Sequence, residues 1–299
     1  MLVMFERVSD HLEHVKPYTP RQKLWYIRAK EVVISTGSIE RPLVFGNNDT
    51  PGVILASAAK EYIKLYGVLI GKKPIIFTNN DSAYDTAIEF KKNGINPIIL
   101  DTRSGSTSPV VNEVKEQNIE IRFSHAVIAA KGYKKVKAAE IGKLNLDNTG
   151  YEKTETVNCD CICVSGFWTP TVHLSSQSGN KLKFNEELDA FVPNQTKQHE
   201  TAVGSANGSF TLEESLTKGF DTGYELSKKI NKNDTKLSVP KVVERKYGKH
   251  DKFWCMPLPK NKNYKRFVDF QNDVAVSDIE LALREGYRSI EHVDRNSVV

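Results

Sequence analysis

This sequence reads as an α/β chain: two dinucleotide-binding-type domains, one interrupting the other, followed by a small C-terminal α+β module. Three observations point there. Residues 74–101 run strand, helix, strand with continuously apolar strands, the pattern of a parallel βαβ unit buried on both faces. Two small-residue turns flank that unit, Thr36-Gly37 and Gly204-Ser205-Ala206-Asn207-Gly208, each after a strand and each offering backbone N–H groups with little side chain. The 299 residues are 39% hydrophobic and 26% charged, enough apolar mass for two cores and too much for a disordered chain.

The elements follow in order. Leu2–Arg7 and Leu24–Arg28 are strand-like, and Val32–Ser35 is a β-branched run closed by Thr36-Gly37, after which Arg41-Pro42 forces an extended exit. A chain that opens on strands of this kind is expected to begin part-way through a domain. Residues 54–66 have helical spacing with Gly67 as the stop, Pro74–Thr78 is a buried strand, Ser82–Lys92 a helix closed by Asn93-Gly94, and Pro97–Asp101 a second buried strand. Further strands are expected at Ile119–Phe123, Ala126–Ala130, Lys134–Ile141 and 159–164. A helix from Phe210 continues beyond Gly219. In the last module Ser277-Asp-Ile-Glu280 reads as a capping box opening a helix that ends at Gly286. The expected organisation is 1–53 as the late part of a first nucleotide-binding domain, 54–165 as a nucleotide-binding-like insert, 166–227 as the return to the first domain, 228–252 as a basic linker and 253–299 as the small module. No period of 20 to 50 residues repeats, which excludes solenoids.

Charge narrows the function. The net charge is +5, and residues 228–252 alone carry nine Lys or Arg against three acids, a surplus larger than that of the whole chain. These bases sit in a Pro-containing stretch with one aromatic, so a solvated linker is expected and nucleic-acid binding is not. No apolar run approaches the ~20 residues of a membrane span. The start lacks the basic region and apolar run of a signal peptide, so a cytoplasmic protein is expected. Cys159, Cys161 and Cys163 alternate and should share one strand face as core residues; C-x-C-x-C lacks the turn-compatible spacing of a zinc knuckle, and no metal site is expected.

The site candidates come from turns. In the unit from 74 to 101, Asp101 has the place of the acid that meets a ribose hydroxyl, yet the glycine turn is replaced by Thr78-Asn79-Asn80-Asp81. Side chains there fill the space of a pyrophosphate, and Asp81 opposes one electrostatically. Either the unit keeps a nucleotide-type fold without a nucleotide, or another ligand meets this turn. His173 has no paired nucleophile or carboxylate in the sequence, and no nucleophile elbow, Walker loop or His-Glu-x-x-His occurs, so no catalytic acid, base or nucleophile is assigned.

Several stretches together resemble one family. Leu24-Trp-Tyr-Ile-Arg-Ala-Lys30, Ser35–Phe45, Asn47-Asn-Asp-Thr-Pro-Gly52, Phe77–Asp81, Val164–Leu174 with Ser176–Gly179, and Phe267–Val274 look like the α subunit of heterotetrameric sarcosine oxidase. The resemblance covers nearly the whole chain and is weakest in the lysine-rich stretch. It implies a FAD/NAD(P)-binding, disulfide-reductase-like fold and an enzyme that oxidises sarcosine to glycine with oxygen, giving hydrogen peroxide and a one-carbon unit for tetrahydrofolate. In that family the β subunit holds FAD and covalent FMN, and the α subunit binds NAD and meets the FMN at their interface. The γ subunit and a zinc-bearing δ subunit complete the enzyme. Carried over residue by residue, Gly204, Ser205, Ala206, Phe210 and Leu212 match the part that closes on NAD; Thr36 and Gly37 are added as cofactor-binding candidates from their turn alone, which offers backbone N–H groups after a strand. Thr78, Asn79, Asn80 and Asp81 are offered as the turn facing FMN.

The family's N-terminal glycine fingerprint and C-terminal folate domain have no counterpart here, and the family continues past a segment like Arg288–Val293. The chain is therefore expected to be a middle portion, without folate binding and poorly soluble alone. Related amine dehydrogenases place iron–sulfur cysteines near residues 253–290; here Asp269–Asp273 has none and Cys255 stands alone, so no cluster is expected. A scaffold that holds partner subunits without a cofactor is the alternative, and a self-sufficient NAD-dependent reductase a third.

Overall fold

The computed structural model describes residues 1–231, 234–243, 247–258 and 263–288. Its contacts divide the chain into two compact units, residues 1–38 with 170–244, and residues 39–169 with 245–299. The first unit opens with an antiparallel hairpin of β1 (Leu2–Arg7) and β2 (Gln22–Ile27), then β3 (Val32–Ile34). Apolar side chains lie on both faces of the hairpin, with Phe5 and Tyr26 more than half exposed. β4 (Ser38–Glu40) leads into the second unit.

There the chain forms β5 (Val53–Leu55), α1 (Ala56–Tyr66), β6 (Pro74–Thr78), α2 (Tyr84–Lys92), β7 (Ile98–Asp101), α3 (Pro109–Glu116) and β8 (Glu120–Phe123). An antiparallel meander follows, β9 (His125–Gly132), β10 (Val136–Leu144) and β11 (Tyr151–Asn158), and β12 (Cys161–Ser165) returns to the parallel sheet. The sheet order is β5-β12-β6-β7-β8. β13 (Trp168–Pro170) takes the chain back to the first unit, which continues with α4 (His173–Gln177), the hairpin β14 (Lys181–Asn185) and β15 (Ala190–Gln195), β16 (Glu200–Ala202) and α5 (Leu212–Asn231). β17 (Phe267–Asp269), β18 (Val274–Ala275) and α6 (Val276–Arg284) complete the second unit.

The parallel sheet shows why its strands read as unbroken apolar runs. Successive side chains alternate between two covered faces. Ile75 and Phe77 of β6 pack with Leu43, Phe45, Val127, Ile128 and Phe253 on the meander side, whereas Ile76 and Ile99 pack under Ala59, Ala87, Phe90, Val110 and Val114 of the helices. Gly67 ends α1 in the left-handed region, φ 64°, as its position after the last apolar residue suggested.

Several expectations shift. Cys161 and Cys163 lie on the helix-side face of β12, but Cys159 precedes the strand and packs in the meander-side core, so the three do not share a face. All three are buried. Burial pushes the Cys159 thiol up to about 12, and the neighbouring Cys161 together with burial raises Cys163 as well. At pH 8 the thiolate fraction of Cys159 is then roughly a thousandfold below that of a free cysteine. We expect Cys159 and Cys163 to react with a thiol reagent only after denaturation; fast labelling of either in the native protein would contradict this.

The capping box also moves. Pairing of β18 with β17 fixes Ala275 as the last extended residue, so α6 begins at Val276, and the Ala275 N–H donates to Asp278 at 2.8 Å, not to Glu280. The stretch expected as a linker starts inside a helix: α5 extends to Asn231, with Lys229 paired to Glu31, and Lys236 beyond its end paired to Asp221. Lys232, Arg245 and Lys246 of that stretch, and residues 289–293 of the Arg288–Val293 segment, lie outside the described residues. The expected boundaries at 53/54 and 165/166 compare with unit boundaries at 38/39, 169/170 and 244/245.

The C-terminal stretch is seated on the meander. Tyr264 donates to Glu140 at 2.9 Å and accepts from Lys131, which also pairs with Glu140 at 2.9 Å. Beneath the tyrosine ring Gly46 runs between Ile128 and Ala130, its N–H donating to one and its carbonyl accepting from the other.

Candidate functional site

The sequence-derived residues fall into two groups, one in each unit. In the first unit β3 and β16 pair in parallel, Ile34 opposite Ala202. Their carboxyl ends therefore lie side by side, the position at which open α/β sheets take ligands. Val203 N–H donates to the Ile34 carbonyl at 2.9 Å and extends the pairing to the edge of the turns. There Gly37, at φ 76°, stands so close to the other turn that a Cβ on it would lie 3.9 Å from Ser205 Oγ. Thr36 Oγ1 donates to the Thr171 carbonyl at 2.8 Å, and Thr171 N–H returns a bond to Gly37 at 2.9 Å, which fixes this turn. Gly204 at φ 65° opens a 3₁₀ turn over Gly204–Asn207, and Gly208 at φ 79° closes it. The fold thus brings Thr36, Gly37, Gly204, Ser205 and Ala206 to one place.

Two details differ from the sequence reading. The glycine turn does not open α5, because Ser209, Phe210 and Thr211 intervene. The first turn of α5 is closed by its own chain, with Thr211 Oγ1 accepting from Glu214 N–H, and it carries Glu213 and Glu214. That end repels a phosphate. Leu212 is 53% exposed at the start of the helix, and Phe210 is half-buried.

The second group, Thr78, Asn79, Asn80 and Asp81, lies at the carboxyl end of β6 and is sealed within its own unit. Asn79 Nδ2 donates to the carbonyls of Asp251 (2.8 Å) and Phe253 (3.1 Å), and Asn80 Nδ2 to Ser165 Oγ at 3.1 Å. Thr78 Oγ1 donates to the Asn80 carbonyl at 2.9 Å. Asp81 pairs with Arg103 at 2.6 Å and accepts from Gly248 N–H. Asp101, the sequence candidate for a ribose hydroxyl, is spent on the same guanidinium at 2.6 Å and on Tyr84 Oη at 2.7 Å. Burial alone would raise the Asp81 carboxyl, but Arg103, Ser108 and the Gly248 N–H outweigh it and hold the group below its ordinary value. The turn expected to face FMN is therefore covered by residues 248–253, and its side chains fit no flavin there.

Sequence reasoning missed Arg103 as the centre of this network, although its place two residues after Asp101, on a strand end facing Asp81, was a usable signal. Among the described residues no group of three His, Cys, Asp or Glu is placed to hold a metal ion, and no described helix is long and apolar enough to cross a membrane.

A model of the sarcosine oxidase A3 domain matches residues 263–299. The sarcosine oxidase subunit alpha of Rhizobium meliloti (strain 1021) is 34% identical over 293 residues, 97% of this chain and 28% of that subunit. That of Corynebacterium sp. (strain P-1) is 30% identical over 281 residues, 92% of this chain and 29% of its own length. The chain thus spans less than a third of these relatives. Among solved structures, L-proline dehydrogenase from P. horikoshii superposes with a TM-score of 0.58 at 18% identity, covering 92% of this chain and 49% of that one. Thioredoxin reductase from T. acidophilum gives 0.51 at 18%, covering 64% and 62%. Along nearly all its length this chain is similar to the α subunit of sarcosine oxidase, and its fold is the FAD/NAD(P)-binding, disulfide-reductase-like one.

Proposed function

We propose that this chain is the nucleotide-domain portion of the α subunit of a sarcosine-oxidising flavoenzyme, and that it supplies a dinucleotide seat and a subunit interface but no acid or base of its own. The enzyme would oxidise sarcosine to glycine, reduce oxygen to hydrogen peroxide and pass the one-carbon unit to tetrahydrofolate, in the cytoplasm. Its β subunit would carry FAD and the FMN that this chain meets, with γ and δ subunits completing the assembly. The observation that carries the reading is the adjacency of the two turns after β3 and β16, in a chain similar to such subunits over 97% of its length.

NAD fits the first unit. Gly37 and Gly204 bring bare backbone to the end of the paired strands, and Ser205 Oγ is available beside them as donor or acceptor. The group would bind there through backbone N–H and hydroxyl contacts, its phosphates kept away from Glu213 and Glu214. The chemistry NAD supplies when bound is hydride transfer; this chain's residues hold and orient it.

Substituting Gly37→Val in the complete enzyme tests this. A β-branched residue at φ 76° is strained by about 1–2 kcal/mol and puts apolar bulk beside Ser205, whose Oγ would lie 3.9 Å from the new Cβ. NAD content should fall at least tenfold while flavin absorbance and subunit assembly persist. Stoichiometric NAD in the variant would refute the seat. The second reading, a scaffold without cofactor, is favoured by the sealed Thr78–Asp81 turn. Co-purification of the chain with its β subunit as a yellow, NAD-containing complex supports the first reading, and a colourless complex supports the scaffold.

A further inference from the structure

Next to the sealed turn the second unit holds a polar cavity of about 320 Å³, with Thr102, Ser124, Asn145, Asn148, His250 and Asp251 on its wall. It opens where β7 and β8 end, since Thr102 follows Asp101 and Ser124 follows Phe123. This is again the carboxyl edge of a parallel sheet.

Two buried oxygens of wall residues are unusual. Thr102 is 2% exposed, and its Oγ1 has no hydrogen-bond partner among the described residues. The buried Oδ1 of Asn145 has none either. Buried polar groups are nearly always paired, and here two orphans belong to residues that line one cavity. The groups around them are fixed. Asn145 N–H donates to the Gly150 carbonyl at 3.0 Å, Ser124 N–H to Arg103 at 2.9 Å, and Asn148 Nδ2 to Asp251 Oδ2 at 3.1 Å. Asp251 is in turn held by its N–H on the Asn79 carbonyl at 2.9 Å.

Charge decides which ligand fits. Asp251 and Arg103 both stand on the wall, and the guanidinium is already paired with the carboxylates of Asp81 and Asp101, so three acids stand against one base. Phosphates and carboxylates are repelled. A volume of this size is at the small end of ligand sites, and the wall offers hydroxyl, amide and carboxylate groups that suit a molecule rich in hydroxyls.

We propose that this cavity binds an uncharged polyhydroxyl molecule of sugar size. One of its hydroxyls would satisfy Thr102 Oγ1, a second would donate to Asn145 Oδ1, and others would reach the Asp251 carboxylate. The site is separate from the dinucleotide seat of the first unit and does not depend on it.

The experiment is a titration of the full chain with D-ribose, and separately with inorganic phosphate, followed by heteronuclear NMR. Ribose should saturate, shifting the Thr102, Ser124 and Asn145 amides, while phosphate should not. Thr102→Val keeps the shape and removes the hydroxyl; ribose affinity should fall roughly tenfold, the worth of one buried hydrogen bond. Thr102→Ser should restore it. The ligand-free Thr102→Val protein should melt higher by about 2 °C or more, because an unpaired buried hydroxyl has been removed. Absence of saturable ribose binding to the cooperatively folded chain overturns the proposal. So does ribose affinity unchanged in Thr102→Val, and so does a lowered melting point in that variant without loss of affinity, which would show that the hydroxyl serves a bound water only.

Discussion

Arg103→Met should lower the unfolding free energy by about 3–5 kcal/mol, the cost of leaving buried carboxylates without their counter-charge. Arg103 is 9% exposed and bonds Asp81 and Asp101, each at 2.6 Å, so both acids depend on one guanidinium. Tyr84 Oη also donates to Asp101, and burial with the adjacent carboxylate raises its phenol far above the ordinary range, so it stays protonated and cannot replace the cation. The acid limb gives a second signature. Asp81 titrates below its usual 3.8 in the folded protein, so its contribution to stability is complete above that value and is lost as pH falls through the folded pKa. In Arg103→Met the same carboxyl is buried without its cation and its pKa moves upward, so its contribution changes sign. Urea denaturation between pH 3 and pH 7 measures both. A loss under about 1 kcal/mol at pH 7 would mean that the acids have found other partners. Adding Asp81→Asn and Asp101→Asn to Arg103→Met should recover part of the loss.

Gly46→Ala should cost about 2–3 kcal/mol, large for a single methyl group. A Cβ at this position would lie 2.8 Å from Tyr264 Cβ and 2.9 Å from Ala129 Cβ, both roots of side chains with no freedom to swing aside. The strand cannot retreat either, since Gly46 is bonded on both sides at 2.9 and 2.8 Å. Relief therefore comes by lifting Tyr264, which opens its bonds to Lys131 and Glu140 and loosens residues 263–288 from the meander. Thermal unfolding should show the loss, and limited proteolysis should cut earlier in the C-terminal stretch. In a Tyr264→Gly background the same glycine substitution should cost at least about 1 kcal/mol less, because both the obstructing Cβ and the ring have gone. Equal cost in both backgrounds would place the strain against Ala129 instead.

What the sequence made legible follows from where its information is local. The buried strands Pro74–Thr78 and Ile98–Asp101 and the stop at Gly67 depend on residue type and spacing alone, and all appear as expected. Helix α3 was missed because its Ser-Pro opening follows a serine-rich loop that reads as a turn, although Val110, Val111 and Val114 do mark a buried face. The hairpin of β14 and β15 was missed because Lys181–Asn185 alternates too weakly to signal a strand. At the site, the glycines named the turns of the first unit, and strand pairing supplied their adjacency. For Thr78–Asp81 sequence gave the correct place and the wrong surroundings, because nothing local reveals that residues 248–253 lie across it. The orphaned Thr102 hydroxyl was equally invisible, since only the finished fold shows which polar atoms lack partners.

The bond from Thr36 to Thr171 joins residues 135 positions apart, across the second unit. In an unfolded chain, closing a loop of that length costs about 4 kcal/mol in entropy, more than a single hydrogen bond returns. The second unit removes this obstacle, because its own ends are clamped when it folds: Arg41 N–H donates to Phe167 at 2.8 Å and Gly166 N–H to Arg41 at 2.6 Å. The order of assembly is thereby set by topology. Residues 39–169, once folded, bring the two turns of the candidate seat toward each other, so on the proposed function lesions deep in that core should register as loss of NAD.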